Sequence, residues 1–167
     1  DYFGRNTTND GIVYQTEMGN KIYYSEQVND STTSIFFSDK LLDDWSKGTP
    51  LSSTINSGQH VNYPYVLTDG VTIYYASTGN NSMGGYDIFV TRYNPSSGNY
   101  LAPDNLGMPF NSPYNDYMLA LDEYANLGWF ASDRYQPEGK VCIYIFIPND
   151  IKEVYDYDNT DTDELRR

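Results

Sequence analysis

One short pattern, written three times, constrains this chain more than any other feature. Ile22-Tyr23-Tyr24-Ser25 returns as Ile73-Tyr74-Tyr75-Ala76-Ser77 and again as Leu127-Gly128-Trp129-Phe130-Ala131-Ser132. The shift from Tyr23 to Tyr74 is 51 residues, and from Tyr74 to Trp129 it is 55. A second strand-like run follows each copy: Ser34-Ile35-Phe36-Phe37, Asp87-Ile88-Phe89-Val90 and Cys142-Ile143-Tyr144-Ile145. Another precedes each: Gly11-Ile12-Val13-Tyr14, Tyr63-Pro64-Tyr65-Val66 and Tyr117-Met118-Leu119-Ala120. The turns between first and second runs carry Gly19-Asn20, Asp69-Gly70 and Asn126, residue types that tolerate positive φ. The joints repeat too, since Leu51 with Ile55-Asn56-Ser57 matches Leu106 with Phe110-Asn111-Ser112 at a shift of 55.

Each unit therefore reads as three strands, with a weaker fourth around residues 45–51 and 100–106. A small antiparallel sheet of about four strands, repeated every ~40–55 residues, is the signature of a propeller blade. The expected fold class is all-β: about three antiparallel sheets of three or four strands, as part of a six-bladed ring. The divisions are a lead-in at 1–9, blades at 10–50, 51–105 and 106–150, and an acidic tail at 151–167. Strand side chains alternate, so Tyr23-Tyr24, Tyr74-Tyr75 and Trp129-Phe130 send their rings to opposite faces and meet both neighbouring blades. Closed propellers need about four to eight blades. Three leave two apolar flanks, which the remaining blades of the same protein or a second copy would cover.

Composition agrees. Of 167 residues 16% are aromatic, including 18 Tyr, and Gly and Pro number 13 and 8, as suits short strands joined by turns. Helical periodicity is confined to one or two turns at 38–45 and at 149–155. A net charge of −13 argues against nucleic acid and anionic lipid as partners. No apolar run reaches the ~20 residues of a membrane-spanning helix. With Asp1 rather than Met at its start, the sequence reads as a piece of a longer protein.

The middle unit resembles a known family. Asp69-Gly70-Val71-Thr72-Ile73-Tyr74-Tyr75-Ala76-Ser77, then Gly84-Gly85-Tyr86-Asp87-Ile88-Phe89-Val90-Thr91, is similar to the TolB-like, WD-repeat-like propeller blade. Trp129-Phe130-Ala131-Ser132-Asp133-Arg134 matches in the third unit, and the joint at 105–113 resembles linkers in envelope proteins of the Bacteroidetes type. The first unit lacks the Asp-Gly and Gly-Gly elements, and the third has Asp122-Glu123 and Cys142 at the places of Asp69-Gly70 and Asp87. The resemblance spans most of residues 10–148. It implies an extracytoplasmic scaffold, periplasmic or associated with the outer membrane, and brings no catalytic residues and no cofactor.

Candidate chemistry is sparse. His60 is the only histidine, in a joint, and no Gly-x-Ser-x-Gly elbow is present, so a hydrolase triad lacks its parts. Zinc is disfavoured by one Cys and one His. Cys142 reads as a small buried hydrophobe in its strand. Asp156, Asp158, Asp161 and Asp163 alternate as weak calcium candidates, without the Gly and final Glu of an EF-hand loop. Residues 79–85 read as a hairpin loop, not a phosphate cradle. Asp133 and Arg134 read as an inter-strand ion pair, with a ligand-facing arginine as the alternative. His60, Arg92, Asp133 and Arg134 are the interaction candidates. The expected role is a non-catalytic protein–protein or cell-wall-associated scaffold. The second reading is a carbohydrate-binding module using surface aromatics, and the third a glycoside hydrolase.

Overall fold

The computed structural model describes residues 12–79 and 81–148. Among them the chain is all-β, without helices, and forms three antiparallel sheets. The first contains β1 (Val13–Gln15), β2 (Lys21–Asn29), β3 (Thr32–Asp39) and β4 (Thr49–Pro50), in that spatial order. The second contains β5 (Val61–Val66), β6 (Thr72–Ser77) and β7 (Asp87–Asn94); β8 (Asn99–Tyr100) and β9 (Asp104–Asn105) both pair with β7. The third contains β10 (Asp116–Asp122), β11 (Leu127–Ser132) and β12 (Cys142–Phe146). Each of the nine repeated runs contributes to a strand, the first only from Val13 onward, and the weak fourth strands exist as the two-residue β4 and β9.

The turns work as their residue types dictate. Gly19, Gly70 and Asn126 have φ of 64°, 69° and 51°, each at the tight link between the first two strands of its sheet. A second repeated irregularity was not legible. Tyr63 (φ 54°) and Met118 (φ 56°), 55 residues apart, sit where β5 and β10 slip register against their neighbours. These bulges bend the first strand of each sheet at one corresponding place.

Cross-strand register aligns the units residue by residue. Tyr24 faces Phe36, Tyr75 faces Phe89 and Phe130 faces Tyr144. Each pair stacks, at centroid distances of 6.1, 5.8 and 5.2 Å and interplanar angles of 19°, 23° and 16°. Such pairs contribute about 0.5–1.5 kcal/mol each beyond their burial.

The sheets share two cores. Tyr23 and Ile35 of the first sheet meet Val61, Ile73, Tyr75 and Phe89 of the second. On the second sheet's other side, Ile88 meets Leu119 and Phe130 of the third, with Tyr65, Tyr74, Tyr144 and Phe146 around them. Tyr74 and Tyr75 thus serve opposite neighbours, as strand alternation requires. The joints wedge between sheets: Leu51 and Ile55 enter the first core, Leu106 and Phe110 the second.

Three expectations need correction. Residues 38–45 form no helical turn: β3 runs to Asp39, and Lys40 bridges Trp45 across a bend closed by Leu41 N–H to Asp44 O at 2.7 Å. Leu41 and Leu42 are exposed, so a helix there would have no core to face. Among the described residues the two flanks differ, and only that of the third sheet exposes its apolar side chains. On the first sheet, Ile22 and Tyr24, turned away from the first core, are buried, and Gly48 lies against the Tyr24 hydroxyl. Cys142 is half-buried, because it starts an edge strand covered on one side only. The expected helical turn at 149–155 and the candidates Asp156, Asp158, Asp161 and Asp163 lie outside the described residues.

Candidate functional site

The densest polar cluster lies where the second and third sheets meet, at the Ser-ended tips of β6 and β11. Ser77 and Ser132 are buried. Ser77 Oγ accepts from Gly79 N–H at 3.0 Å, which turns the chain out of β6. Ser132 Oγ accepts from Arg134 N–H at 3.1 Å and from its Nε at 2.9 Å.

Arg134 is a clamp within the fold. Its ion pair is with Asp116 of β10, Nη2 to Oδ1 at 2.6 Å, and not with the adjacent Asp133. The guanidinium also donates to the Pro109 carbonyl at 2.8 Å and to that of Phe110, and lies 5.3 Å and 5.2 Å from the Phe130 and Tyr144 ring centroids. Asp116 is fully buried and its Oδ2 takes the Ser112 N–H and hydroxyl, both at 2.7 Å. A carboxylate as deep as Asp116 is tolerated because it is paired with the half-buried Arg134 and its other oxygen is hydrogen-bonded.

Asp133 is used differently. It accepts from Asn115 N–H at 2.8 Å and from Asn115 Nδ2 at 2.7 Å. Asn115 Oδ1 then accepts from Tyr86 N–H at 3.0 Å, tying the second sheet to the third. Gly84 and Gly85 belong to this seam. A Cβ on Gly84 would lie 2.4 Å from the Pro113 carbonyl carbon, and one on Gly85 would lie 2.0 Å from Asn115 Oδ1. Asp87 is buried opposite Ser77, its Oδ2 accepting from Met83 N–H at 2.9 Å and Asn105 Nδ2 at 2.8 Å.

A second repeated device went unread in the sequence. Asn111 Oδ1 accepts from Ile88 N–H at 2.7 Å while its Nδ2 donates to Ile88 O at 2.9 Å. Asn56 does the same to Ile35, at 2.8 and 3.0 Å. Leu106 N–H and Leu51 N–H add a further bond to those carbonyls, at 3.1 and 2.9 Å. Each joint thus caps the outer edge of the preceding sheet with one amide side chain. The matching Asn-Ser dipeptides carried this signal, but an Asn beside a Ser in a loop also fits a simple turn.

The remaining candidates are spread out. His60 tethers its joint through the backbone, its N–H donating to Thr78 Oγ1 at 3.2 Å and its carbonyl accepting from Thr78 N–H at 3.0 Å. Arg92 is exposed, 3.8 Å from Asp69. Asp69 organises its turn by accepting from Val71 N–H, Thr72 N–H and the Thr72 hydroxyl. Burial pushes its pKa up, but the Thr72 and Val71 bonds and the nearby Arg92 outweigh this and hold the carboxyl below its ordinary value. Among the described residues no three His, Cys, Asp or Glu side chains gather as a metal site, and no helix is long and apolar enough to cross a membrane.

Three surfaces stand out. Glu17, Thr68 and Asp122 to Tyr124, from the turns of all three units, line an open cleft of about 630 Å³. Thr68 N–H donates to Glu123 Oε1 at 3.0 Å across it. Tyr63, Tyr86 and Tyr117 form a half-buried cluster, Tyr63 and Tyr117 stacked at 4.9 Å, so these rings spend their faces on one another. Tyr114 and Tyr135, 5.5 Å apart, are exposed, Tyr135 at 83%. No family model matches the chain, and no curated protein matches it.

Proposed function

We propose that this chain is three consecutive blades of a propeller in an extracytoplasmic bacterial envelope protein, and that it works as a protein–protein or cell-wall-associated scaffold without catalysis of its own. The observation that carries the reading is the destination of the interior polar groups. Arg134, Asp116, Asp133, Asn111 and Asn56 are all spent on bonds within the fold, closing the third sheet on its joint or tying a joint or loop to the preceding sheet. A catalytic site would hold a carboxylate or nucleophile poised toward a pocket. The acidic cleft at the turns is open, and Glu123 within it is bonded to Thr68. The envelope assignment rests on the likeness of residues 69–77 and 84–91 to TolB-like blades. A net charge of −13 fits a partner that is not itself acidic.

The second reading, glycan binding, is favoured by the exposed Tyr114–Tyr135 pair, since an apolar ring face suits a sugar face. One experiment separates the two. A photo-crosslinking residue is placed at Tyr124 and, separately, at Tyr135 in the full-length protein in cells. The scaffold reading expects cross-links from Tyr124 to defined envelope proteins or peptidoglycan. Cross-links to cytoplasmic proteins alone overturn it. Sugar-competed cross-links confined to Tyr135 favour glycan binding.

A further inference from the structure

The open flank of the third sheet carries an imprint of what covers it. Register makes Ile35, Ile88 and Ile143 equivalent, each one step before the residue that stacks on the second strand's aromatic ring. Ile35 and Ile88 are 0% exposed, each beneath the sheet that follows in sequence, whereas Ile143 is 57% exposed. Trp129 and Ile145, equivalent to Tyr74 with Val90 and to Tyr23 with Phe37, share that uncovered face, Ile145 at 66%. The polar edge tells the same story. The Ile35 and Ile88 peptide groups are capped by Asn56 with Leu51 and by Asn111 with Leu106. Among the described residues the Ile143 carbonyl has only a 4.0 Å contact from the Cys142 thiol. Among the described residues β12 is also without the two-residue strand that β4 and β9 supply to β3 and β7.

We infer that this face docks a further unit of the same repeat, whose joint inserts a Leu and an Asn five residues apart so that the Asn amide caps both backbone groups of Ile143. The inference rests on the blade reading above and names the occupant. A second copy adding its first sheet does not fit, because the corresponding flank, Ile22 and Tyr24, is already closed. What fits is a face like those already seated: Val61, Ile73 and Tyr75 on the first sheet, or Leu119, Phe130 and Tyr144 on the second.

The test replaces residues 149–167 with a second copy of residues 94–148, so that the chain's own joint and third unit follow β12. Hydrogen exchange at the Ile143 amide is compared in the parent and extended chains. Slowing by about 100-fold or more is expected on the scale that separates edge from core amides, with most of it lost when the copied Asn111 is changed to Ala. Unchanged exchange at Ile143, whether the added unit is ordered or not, overturns the inference. In the parent, Ile143→Ser should leave the denaturation midpoint in place while Ile88→Ser lowers it; equal losses would mean the face is already covered. A parent dimer by sedimentation that Ile145→Arg dissociates would make a second copy the occupant and also overturn it. None of these outcomes bears on the envelope role, which the cross-linking decides separately.

Discussion

Asn111 and Arg134 do for this molecule what a helix cap or a disulfide does elsewhere: each closes a backbone edge that the sheets leave open. The Asn111 amide matches one donor and one acceptor of Ile88 at once, and the site is buried. Asn111→Ala leaves the Ile88 N–H unpaired and its carbonyl with the Leu106 N–H alone, at about 1–3 kcal/mol by the cost of an unsatisfied buried polar group. Asn56 is half-buried, so Asn56→Ala should cost less. Urea unfolding of the two variants checks both size and order. Arg134→Lys keeps the charge but loses the planar fork that reaches Asp116, Ser132 and two carbonyls together. A loss of about 2–4 kcal/mol is expected, because Asp116 stays buried with a poorer partner; thermal unfolding reads it. Sequence made Arg134 conspicuous but pointed to Asp133, its neighbour in the chain. The true partner, Asp116, lies 18 residues away and is brought over by the β10–β11 pairing. Chain adjacency carries no information about that distance.

At the scale of elements, the repeated strands were plain because apolar alternation and turn residues agree with one another. The bulges were not, because Tyr63 and Met118 are ordinary strand residues held at positive φ by the register slip around them. Met118 is 45% exposed, whereas the ring of Tyr63 at the corresponding place stacks on Tyr117. Met118→Gly is expected to raise stability by about 0.5–1 kcal/mol, set by the left-handed penalty less the added chain entropy of glycine. Circular dichroism melts of the pair decide it, and a drop would mean that the Met side chain stabilises the bulge. The supposed helix at 38–45 failed for the complementary reason: short-range propensity was there, but no apolar face was left for it to pack on.

For the whole molecule, the tyrosines make stability depend on alkaline pH. Burial, with Tyr65, Glu17 and Glu123 nearby, pushes Tyr14 up to about 12. Burial likewise raises Tyr23, Tyr63, Tyr65, Tyr74, Tyr86, Tyr100 and Tyr117. A phenol that holds its proton more tightly folded than unfolded stabilises in full below its ordinary value of 10.0, and that contribution is lost as pH climbs toward the folded value. Stability should therefore fall steeply between about pH 10 and about pH 12, because several half-buried phenols act together. Urea midpoints across that range, with tyrosinate absorbance followed alongside, check it; a flat midpoint would contradict the burial assigned to these rings.

The chain by itself determined the number of units, their strands, their turns and the split of aromatic rings between two faces. All of these follow from spacings of a few residues, or from a pattern repeated at near-constant period. Which groups would meet across the gaps was decided only in three dimensions: Arg134 with Asp116, Asn111 with Ile88, and the closing of one flank while the other stayed open. Those outcomes depend on how strands, joints and neighbouring sheets settle on each other, and contacts between groups 18 or 23 residues apart are not fixed by any spacing of a few residues.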